Sequence, residues 1–332
     1  MGIDQEPPYQ GLIPDLILAA CESLGLSCDG RLLALNSYEN RVYRIGIEDG
    51  APVVAKFYRP GRWADEAILE EHSFTQALVE ADIPVVAPLS FSGGDETLFH
   101  FEGFRFAIYP LQPGRWRELE DEEDLRCLGR LMARIHNCGA RESFGHRPRL
   151  TVERLGHESL RYILDQDLLP LELLSPYRVV VEQCLEKAES VFDAYGQRPG
   201  IRLHGDCHLG NILWADRTPF FVDLDDCLTG PAVQDLWMLL SGDYQQRSWQ
   251  INTVLEGYEV FRTFDPAELG LIEVLRSLRM LNYAAWLARR WSDPAFPLNF
   301  PWFNTQKYWE EQILSFKGQL AEMSEPSLQR HP

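Results

Sequence analysis

The chain has 332 residues, 45% of them hydrophobic and 24% charged, which is the composition of a soluble globular protein large enough for two domains or lobes. The formal net charge of −19 argues against nucleic acid or an anionic membrane as a partner. Its 7 cysteines include no C-x-x-C pair, and there is neither a signal-peptide pattern nor an apolar run as long as a membrane span. We therefore expect a cytoplasmic protein.

The first third of the chain has the pattern of an antiparallel sheet interrupted by one helix. Alternating, β-branched or aromatic runs predict strands at residues 41–47, 52–58, 85–91, 97–101 and 103–109. Asp49-Gly50 and Gly93-Gly94 mark tight turns between strands. From Ala64 to Glu80 the apolar residues follow a helical period, which predicts a helix that ends before Pro84.

Beyond Leu111 the pattern becomes mainly helical. One apolar stripe predicts a helix ending at Gly139, and Ser175-Pro176 predicts the N-cap and first-turn proline of another that ends at Gly196. Two further periodic stretches lie at 234–262 and 267–291. These patterns predict an α+β fold with an N-terminal nucleotide-binding lobe (1–111) and a C-terminal catalytic and substrate lobe (112–332).

The most informative motif lies at residues 204–211, which read HGDCHLGN, and Asp223 follows twelve positions after Asn211. Protein kinases use H-R-D-x-x-x-x-N followed by D-F-G, in which the first Asp accepts the hydroxyl proton and the Asn and second Asp bind Mg²⁺. Here Asp206, Asn211 and Asp223 keep that order, although glycine replaces the arginine and residues 223–225 read DLD. Hard Mg²⁺ prefers such oxygen ligands. The motif predicts a phosphotransferase with Asp206 and Asp223 as catalytic residues and Asn211 and Asp223 as metal ligands.

A different chemistry fits part of the same segment. His204, Asp206 and His208 alternate along the chain, so in an extended segment they present three metal ligands on one face, as in a metal-dependent hydrolase. That alternative leaves Asp223 without a role, and we treat it as the lesser one.

The strand at 52–58 has the features of a nucleotide-binding strand. Its residues Val53-Val54-Ala55-Lys56 are similar to the V-A-I-K strand of kinases. Strand alternation places Val54 and Lys56 on one face, so the valine covers adenine while the ammonium reaches the phosphates. These two residues are predicted to bind the nucleotide.

The helix that follows supplies the expected partner of Lys56. Glu71 shares a helical face with Phe74, the face that must pack against the sheet. A carboxylate on that face needs a partner, and Lys56 is the natural one. Glu70 and Glu66 are the fallback choices on the same helix.

Two further segments are candidates for nucleotide contacts. The loop at 36–40 (NSYEN) has no G-x-G-x-x-G, so either Ser37 and Asn40 donate side-chain hydrogen bonds to phosphate or the loop is an ordinary polar turn. At the expected junction of the lobes, the backbone of Tyr109 and Leu111 would contact adenine, since Pro110 between them lacks an N–H.

One acid beyond the catalytic motif is a candidate anchor. Asp235 lies at an apolar helix start in the segment 230–237 (GPAVQDLW). We predict that it accepts hydrogen bonds from the catalytic-loop backbone; a plain helix N-terminal acid is the alternative.

Together, the catalytic stretch, the Phe-Val-Asp-Leu-Asp at 221–225 and the segment 230–235 resemble the aminoglycoside phosphotransferase and choline kinase-like superfamily. The stretch 35–43 and the segment 286–303 make the chain most similar to its bacterial stress response kinase A (RdoA-type) branch. The resemblance spans nearly the whole chain. It implies a bilobal protein-kinase-like fold, ATP and Mg²⁺ as cofactors, and Ser37 near ATP.

The resemblance also implies serine/threonine protein kinase activity in a stress response, with autophosphorylation. Two departures from the protein-kinase pattern count against a polypeptide acceptor. The chain has no A-P-E segment, and few residues separate Asp225 from Gly230-Pro231, so a long activation loop is absent. A small-molecule hydroxyl kinase acting on an amino alcohol or aminoglycoside therefore remains the alternative. The expected partners are ATP and either a protein Ser/Thr or a small hydroxyl acceptor, and we expect a monomer.

Overall fold

The computed structural model describes residues 8–91 and 93–330. Its sheet-rich part contains α1 (Pro14–Glu22), β1 (Cys28–Ala34), β2 (Arg41–Ile47), β3 (Val53–Phe57), α2 (Asp65–Glu80), β4 (Phe99–Phe101) and β5 (Phe104–Pro110). Then follow α3 (Glu122–Gly139), α4 (Glu158–Asp165), α5 (Leu171–Tyr195), β6 (Ile201–Leu203), β7 (Ile212–Ala215), β8 (Thr218–Phe221) and β9 (Leu228–Gly230). The remaining helices are α6 (Val233–Trp237), α7 (Tyr244–Tyr258), α8 (Ile272–Arg290), α9 (Ala295–Asn299) and α10 (Gln306–Glu322).

The chain forms two compact units. The first comprises the described residues up to Glu118 together with Phe144–Arg147 and Asp206–Cys227. The second comprises Leu119–Ser143, Pro148–Gly205 and the described residues from Leu228 onwards. The segment that carries Asp206, Asn211 and Asp223 thus belongs to the same compact unit as the sheet.

The sheet of the first unit is antiparallel, with strand order β1-β2-β3-β5-β4. Val53, Ala55 and Phe57 of β3 are buried in an apolar core that includes residues of α1, and Phe57 stacks on Phe106 of β5 with ring centroids 5.3 Å apart. Alternation then places Lys56 on the opposite face. A one-residue slip of β3 would carry Lys56 into the apolar core, so the core fixes the register that positions the lysine.

Helix α2 matches its predicted bounds to within a residue. Asp65 and Glu66 stabilise its first turn, where the helix dipole favours negative charge. The helix ends before Asp82, which has φ 54°, and Pro84 prevents its continuation. Its inward face buries Phe74 completely.

The predicted strand at 85–91 is wrong. Val85 makes a single bridge to Phe221, and the Leu89 N–H donates to the Ile108 carbonyl at 2.7 Å, so the segment contacts two elements without forming a ladder. Pro84 and Pro88 contribute no N–H, which prevents regular strand pairing. Strands β1 and β6 to β9 are not among the predicted strands.

Two short antiparallel pairs flank the catalytic motif. In the second unit β6 pairs with β9 (Leu203 opposite Leu228), and in the first unit β7 pairs with β8 (Ile212 opposite Phe221). Asp206 therefore lies in the loop after β6, Asn211 directly precedes β7, and Asp223 follows β8 by two residues.

The second unit is helical around an aromatic core. Helices α5, α8 and α10 surround this core, in which Tyr177 packs edge-on against Trp309 with centroids 5.4 Å apart. Elsewhere α3 and α7 approach closely, because a Cβ on Gly129 would lie 2.0 Å from the Val254 carbonyl oxygen and one on Gly257 would lie 2.1 Å from that of Arg126. Only glycine permits this approach of two helix backbones.

Two helix boundaries differ from the predictions. Helix α5 begins at Leu171, not at Ser175-Pro176, so Pro176 lies inside it. Leu173, in the added first turn, packs against the apolar core, which offsets the backbone hydrogen bond that proline cannot donate. The periodic stretch 234–262 is divided into α6 and α7, because Gly242 has φ 82° and Asp243 caps α7 by accepting from the Gln246 N–H at 2.9 Å.

The α+β class and the order of a sheet followed by helices are confirmed. Across residues 8–91 and 93–330, every helix falls short of the length and apolar character that a membrane span requires.

Candidate active site

Asn211 and Asp223 flank the same end of the hairpin β7–β8. The Val222 N–H donates to the Asn211 carbonyl at 3.0 Å. The Asn211 side-chain Nδ2 donates to the Asp206 carbonyl at 2.9 Å, which holds the catalytic loop. Because Nδ2 is used in this way, Oδ1 is the atom of the amide that remains as an oxygen ligand.

Asp223 has an unusual backbone conformation. It adopts the left-handed conformation at φ 59° and ψ 66°, which costs a non-glycine residue about 1–3 kcal/mol and is concentrated at active sites. Its side chain is 51% exposed, so a carboxylate oxygen is accessible to a ligand. Lys56 Nζ lies 3.1 Å from its Oδ1.

Lys56 is buried among three carboxylates. Its Nζ lies 3.4 Å from Glu71 Oε1, 3.1 Å from Asp223 Oδ1 and 3.3 Å from Asp225 Oδ1. Burial acts to lower the pKa of Lys56, but Asp225, Glu71 and Asp223 together hold that pKa well above its ordinary value. The lysine is a fixed cation at the centre of the site.

The structure distinguishes the glutamates of α2. Glu71 is the one that faces Lys56, and burial raises the pKa of Glu71 to about 7 against the opposing effect of the lysine. Glu70 instead accepts from the backbone N–H groups of residues 145–147 at 2.6–2.9 Å. Burial acts to raise the pKa of Glu70, but these three donors hold it below its ordinary value. Glu66 is exposed, so neither fallback choice pairs with Lys56.

Asp225 is a central residue of the site, and the sequence alone assigned it no role. It is 3% exposed and is paired with both Lys56 and Arg62. Burial acts to raise the pKa of Asp225, but Arg62 and Lys56 hold it well below its usual range. Arg147 binds the backbone of this turn, donating to the carbonyls of Asp225 and Cys227.

Arg62 connects the turn after β8 to the loop between β1 and β2. Besides Asp225, it pairs with Asp226 at 2.5 Å, and its Nε lies 3.8 Å from Glu39 Oε1. Burial acts to lower the pKa of Arg62, but Asp225 and Asp226 hold it well above its ordinary value. A lone arginine after Gly61 carries no sequence signal for this role, because Asp225 and Asp226 lie 163 and 164 positions away.

The loop at 36–40 is held by the interior of the protein. Asn40 Nδ2 donates to Asp225 Oδ2 at 3.1 Å, and Asn40 Oδ1 accepts from the Arg59 N–H at 3.1 Å. Asn40 is therefore a structural residue, contrary to its suggested role as a phosphate donor. The Ser37 hydroxyl has no hydrogen-bond partner in the described part of the chain, which leaves it available to a ligand.

The other candidate nucleotide residues lie on adjacent strands. Val54 is half-buried and directly opposite Tyr109, on the face that carries Lys56. The Tyr109 hydroxyl lies 3.0 Å from that of Tyr58, so its polar end is already bonded within the protein. Leu111 is half-buried and follows the end of β5. These positions are compatible with the predicted contacts to adenine through backbone and apolar groups.

The alternative hydrolase site lacks its ligand cluster. His208 Nδ1 accepts from the Gly210 N–H at 2.9 Å, and its Nε2 lies 3.5 Å from Asp206 Oδ2. Across residues 8–91 and 93–330, no group of three or more His, Cys, Asp or Glu side chains is placed to hold a metal ion.

In the second unit, Asp235 anchors the start of the catalytic loop, as the sequence predicts. Its carboxylate is fully buried and accepts from the backbone N–H groups of His204 at 2.9 Å and Gly205 at 2.8 Å. Gln234 Nε2 donates to the Gly205 carbonyl at 3.0 Å, so the residue before Asp206 is held on both of its backbone groups.

Comparison with known proteins supports a phosphotransferase. The model of the phosphotransferase enzyme family matches residues 31–272. Stress response kinase A of Escherichia coli (strain K12) is 44% identical over 324 residues, which are 98% of this chain and 97% of the relative. Serine/threonine protein kinase RdoA of Salmonella typhimurium is 42% identical with the same coverage of 98% and 97%.

Solved structures share the fold at lower identity. An amicoumacin kinase in complex with AMP-PNP and Ca²⁺ superposes with a TM-score of 0.70 and 18% identity, covering 92% of each chain. A microcompartment-associated aminopropanol kinase superposes with a TM-score of 0.69 and 18% identity, covering 92% of this chain and 96% of that one. The predicted kinase-like α+β fold is thereby confirmed.

Proposed function

The chain belongs to the phosphotransferase enzyme family, and within it to the stress response kinase A proteins, and from that membership we propose that it is an ATP- and Mg²⁺-dependent serine/threonine protein kinase of a bacterial stress response. The observation that carries the proposal is the position of Lys56 between Glu71 and the turn that contains Asp223. A buried cation held by carboxylates beside an accessible acid suits a site for a metal-bound polyphosphate.

The donor set fits Mg²⁺. Asn211 Oδ1 and the half-exposed carboxylate of Asp223 are hard oxygen ligands, and Mg²⁺ is commonly held by one or two protein oxygens plus phosphate and water. When bound, the ion would neutralise charge on the phosphate oxygens. Lys56 would contact the same phosphates while Glu71 holds its ammonium in place. Ser37, Val54, Tyr109 and Leu111 remain our proposed nucleotide contacts.

Asp206 would act on the acceptor. As the new O–P bond forms and the bond to the leaving ADP breaks, the serine or threonine hydroxyl gives its proton to the Asp206 carboxylate. Two bonds to the Asp206 carbonyl, from the His208 N–H and Asn211 Nδ2 at 2.9 Å each, hold the loop backbone. Autophosphorylation would be the same reaction with a hydroxyl of the kinase itself as acceptor.

A small-molecule acceptor is the second candidate. Strand β9 begins at Leu228, directly after the turn that contains Asp223 and Asp225, so the chain has no long activation loop to bind a polypeptide. The sequence relatives at 42–44% identity, rather than the fold, favour the protein acceptor.

Radiolabelled ATP would test the proposal. Purified protein with Mg²⁺ and a cell extract should transfer label to protein, and Asp206→Asn should lower the rate about 10²–10⁴-fold, because the general base is lost. The ATP affinity should stay within a few-fold, since Asp206 contacts the acceptor. Label confined to small molecules would support the second candidate, and unchanged transfer by folded Asp206→Asn would remove Asp206 from the mechanism.

A further inference from the structure

A cavity of about 700 Å³ lies within the second unit, separate from the residues assigned above to nucleotide and metal. Its walls come from the segment after residue 148, the end of α5, the loop at 196–200, the end of β9 and the segment 258–268. The side chains that matter below are Arg149, Tyr195, Arg198, Tyr258, Arg262 and Glu268.

The cavity is rich in guanidinium groups although the chain as a whole carries a charge of −19. Three arginines line it against two acids, Asp265 and Glu268. Arg198 is paired with Asp265. Arg149 is exposed and has no hydrogen-bond or ion-pair partner in the described part of the chain. The wall therefore has surplus positive charge in a protein that otherwise repels anions.

The remaining arginine lies close to a buried network. Arg262 Nη1 donates to Asn137 Oδ1 at 3.0 Å, on α3 beside His136. The Tyr258 hydroxyl lies 2.9 Å from His136 Nδ1, and His136 Nε2 lies 3.2 Å from Asp235 Oδ2. Since a carboxylate can only accept, Nε2 is the donor to Asp235, and Nδ1 is the ring atom that shares a hydrogen bond with the tyrosine hydroxyl.

This network ends at the catalytic loop. Asp235 accepts from the backbone N–H groups of His204 and Gly205, and Asp206 follows Gly205 in the chain. Tyr258, which is fully buried behind the cavity wall, is thus two side chains away from the backbone that carries the catalytic acid. The close packing of α3 on α7 holds His136 and Tyr258 in register.

A second connection runs through Glu268. Its Oε2 accepts from the Val233 N–H at 2.8 Å, at the first residue of α6, and its Oε1 accepts from the Tyr195 hydroxyl at 3.3 Å. Helix α6 carries Asp235 one turn or less from this contact. Both connections lead from the cavity wall to the same anchor.

We propose that this cavity is a regulatory site for a phosphate monoester dianion. A dianion bound there changes the rate of ATP turnover by acting on the catalytic loop through Tyr258, His136 and Asp235. Planar guanidinium forks match phosphate oxygens bidentately. The surplus positive charge of the wall favours a dianion over a monovalent anion. The dianion has two sources, a phosphorylated serine or threonine on a polypeptide and a free phosphorylated small molecule. The effect on turnover rests on the proposed kinase function; binding does not.

Binding is tested by calorimetry with Mg-ADP present to fill the nucleotide site. The probes are a glycine peptide with one phosphothreonine, the same peptide with threonine, and inorganic phosphate. We expect the phosphopeptide or phosphate to bind, the threonine peptide not to bind, and Arg149→Gln to weaken binding about tenfold or more. The tighter of the two binding probes identifies the source.

Arg178→Gln is the matched control, because Arg178 is exposed on α5 and lies about 21 Å along that helix from Phe192 of the cavity wall. It should bind the probe like the parent protein. Absence of binding by both phosphate-bearing probes, or equal weakening by Arg149→Gln and Arg178→Gln, would overturn the site.

Coupling is tested by the ratio of ATP turnover with and without the bound probe. In the parent protein we expect this ratio to differ from one by about fivefold or more. Tyr258→Phe should bind the probe with unchanged affinity and bring the ratio close to one, since it loses the hydroxyl that contacts His136. A ratio equal to that of the parent would overturn the coupling. If the protein binds the probe but has no ATP turnover at all, the proposed function fails and the binding site stands.

Discussion

At the scale of single residues, the site depends on how buried charges are balanced around Lys56. One ammonium faces three carboxylates, and Asp225 is kept ionised because Arg62 binds its other oxygen. Removing one member of such a buried set leaves the remaining charges without a compensating partner. This destabilises the protein more than the loss of the attraction between two charges alone would. The individual charges therefore act as a unit.

A double-mutant cycle tests this unit. Lys56→Ala and Glu71→Gln should each lower the rate of phosphorylation. The double variant should raise the activation free energy much less than the sum of the two single effects, with a coupling energy of about 0.5–3 kcal/mol. Lys56→Ala should be the more damaging, because Glu71 acts only through it. Glu70→Gln is the matched control, since Glu70 binds backbone N–H groups and not Lys56. Its effect on the phosphorylation rate should add to that of Lys56→Ala without coupling. Strict additivity of Lys56 and Glu71 would show that their 3.4 Å contact has no role in catalysis.

At the scale of elements, α2 uses three consecutive residues for three tasks. Glu70 binds the backbone at 145–147, Glu71 faces Lys56, and His72 binds Tyr58 at 2.7 Å and Thr97 at 2.8 Å. Successive helical residues point about 100° apart, so one turn reaches three different parts of the first unit. The helix is held on several sides, which fixes the position of Glu71.

His72 predicts a pH dependence of stability. Burial, aided by the nearby Lys56, lowers the pKa of His72 to about 3, whereas an unfolded histidine titrates near 6.5. The unfolded chain therefore binds the additional proton between these values, and the free energy of unfolding should fall as pH decreases from about 6.5 towards 3. Denaturant unfolding of His72→Gln should show a shallower decrease across this window than the parent protein. Parallel curves for the two proteins would exclude His72 as the cause.

At the scale of the whole molecule, negative charge dominates. Since the chain has a net charge of −19, the proposed nucleotide, a polyanion, would have to be held by a few well-placed cations and the proposed metal ion. Nucleotide without Mg²⁺ would bring additional negative charge next to Asp223 and Asp225. We therefore expect nucleotide binding to require the ion.

Thermal unfolding measures this dependence. Mg-ATP at a hundredfold excess over its Kd should stabilise the folded state by about 2.7 kcal/mol and raise Tm, whereas ATP with EDTA should do so much less. Asp223→Ala should lose most of the Mg²⁺-dependent shift, because it lacks a carboxylate ligand. Asp216→Ala is a suitable control, as Asp216 lies at the opposite end of the β7–β8 hairpin. An Asp223→Ala protein with the full Mg²⁺-dependent shift would argue against this residue as a metal ligand.

From the amino-acid sequence alone follow the α+β class, the positions of β2 to β5 and of most of the long helices, and the order of Asp206, Asn211 and Asp223. These features are local: periodicity decides helix or strand, and the short loops around β7 and β8 bring nearby residues together. It also indicated Glu71, because an acid on a packing face needs a partner.

Which charges meet over long separations depends on the tertiary fold. Arg62 with Asp225, Asn40 with Asp225, and Tyr258 with His136 are each more than 120 positions apart. No periodic pattern encodes such pairs, because each depends on the register of several strands and helices at once. Packing also outweighed the local pattern at the start of α5, which lies at Leu171. At residues 85–91 proline chemistry outweighed it, and the predicted strand does not form.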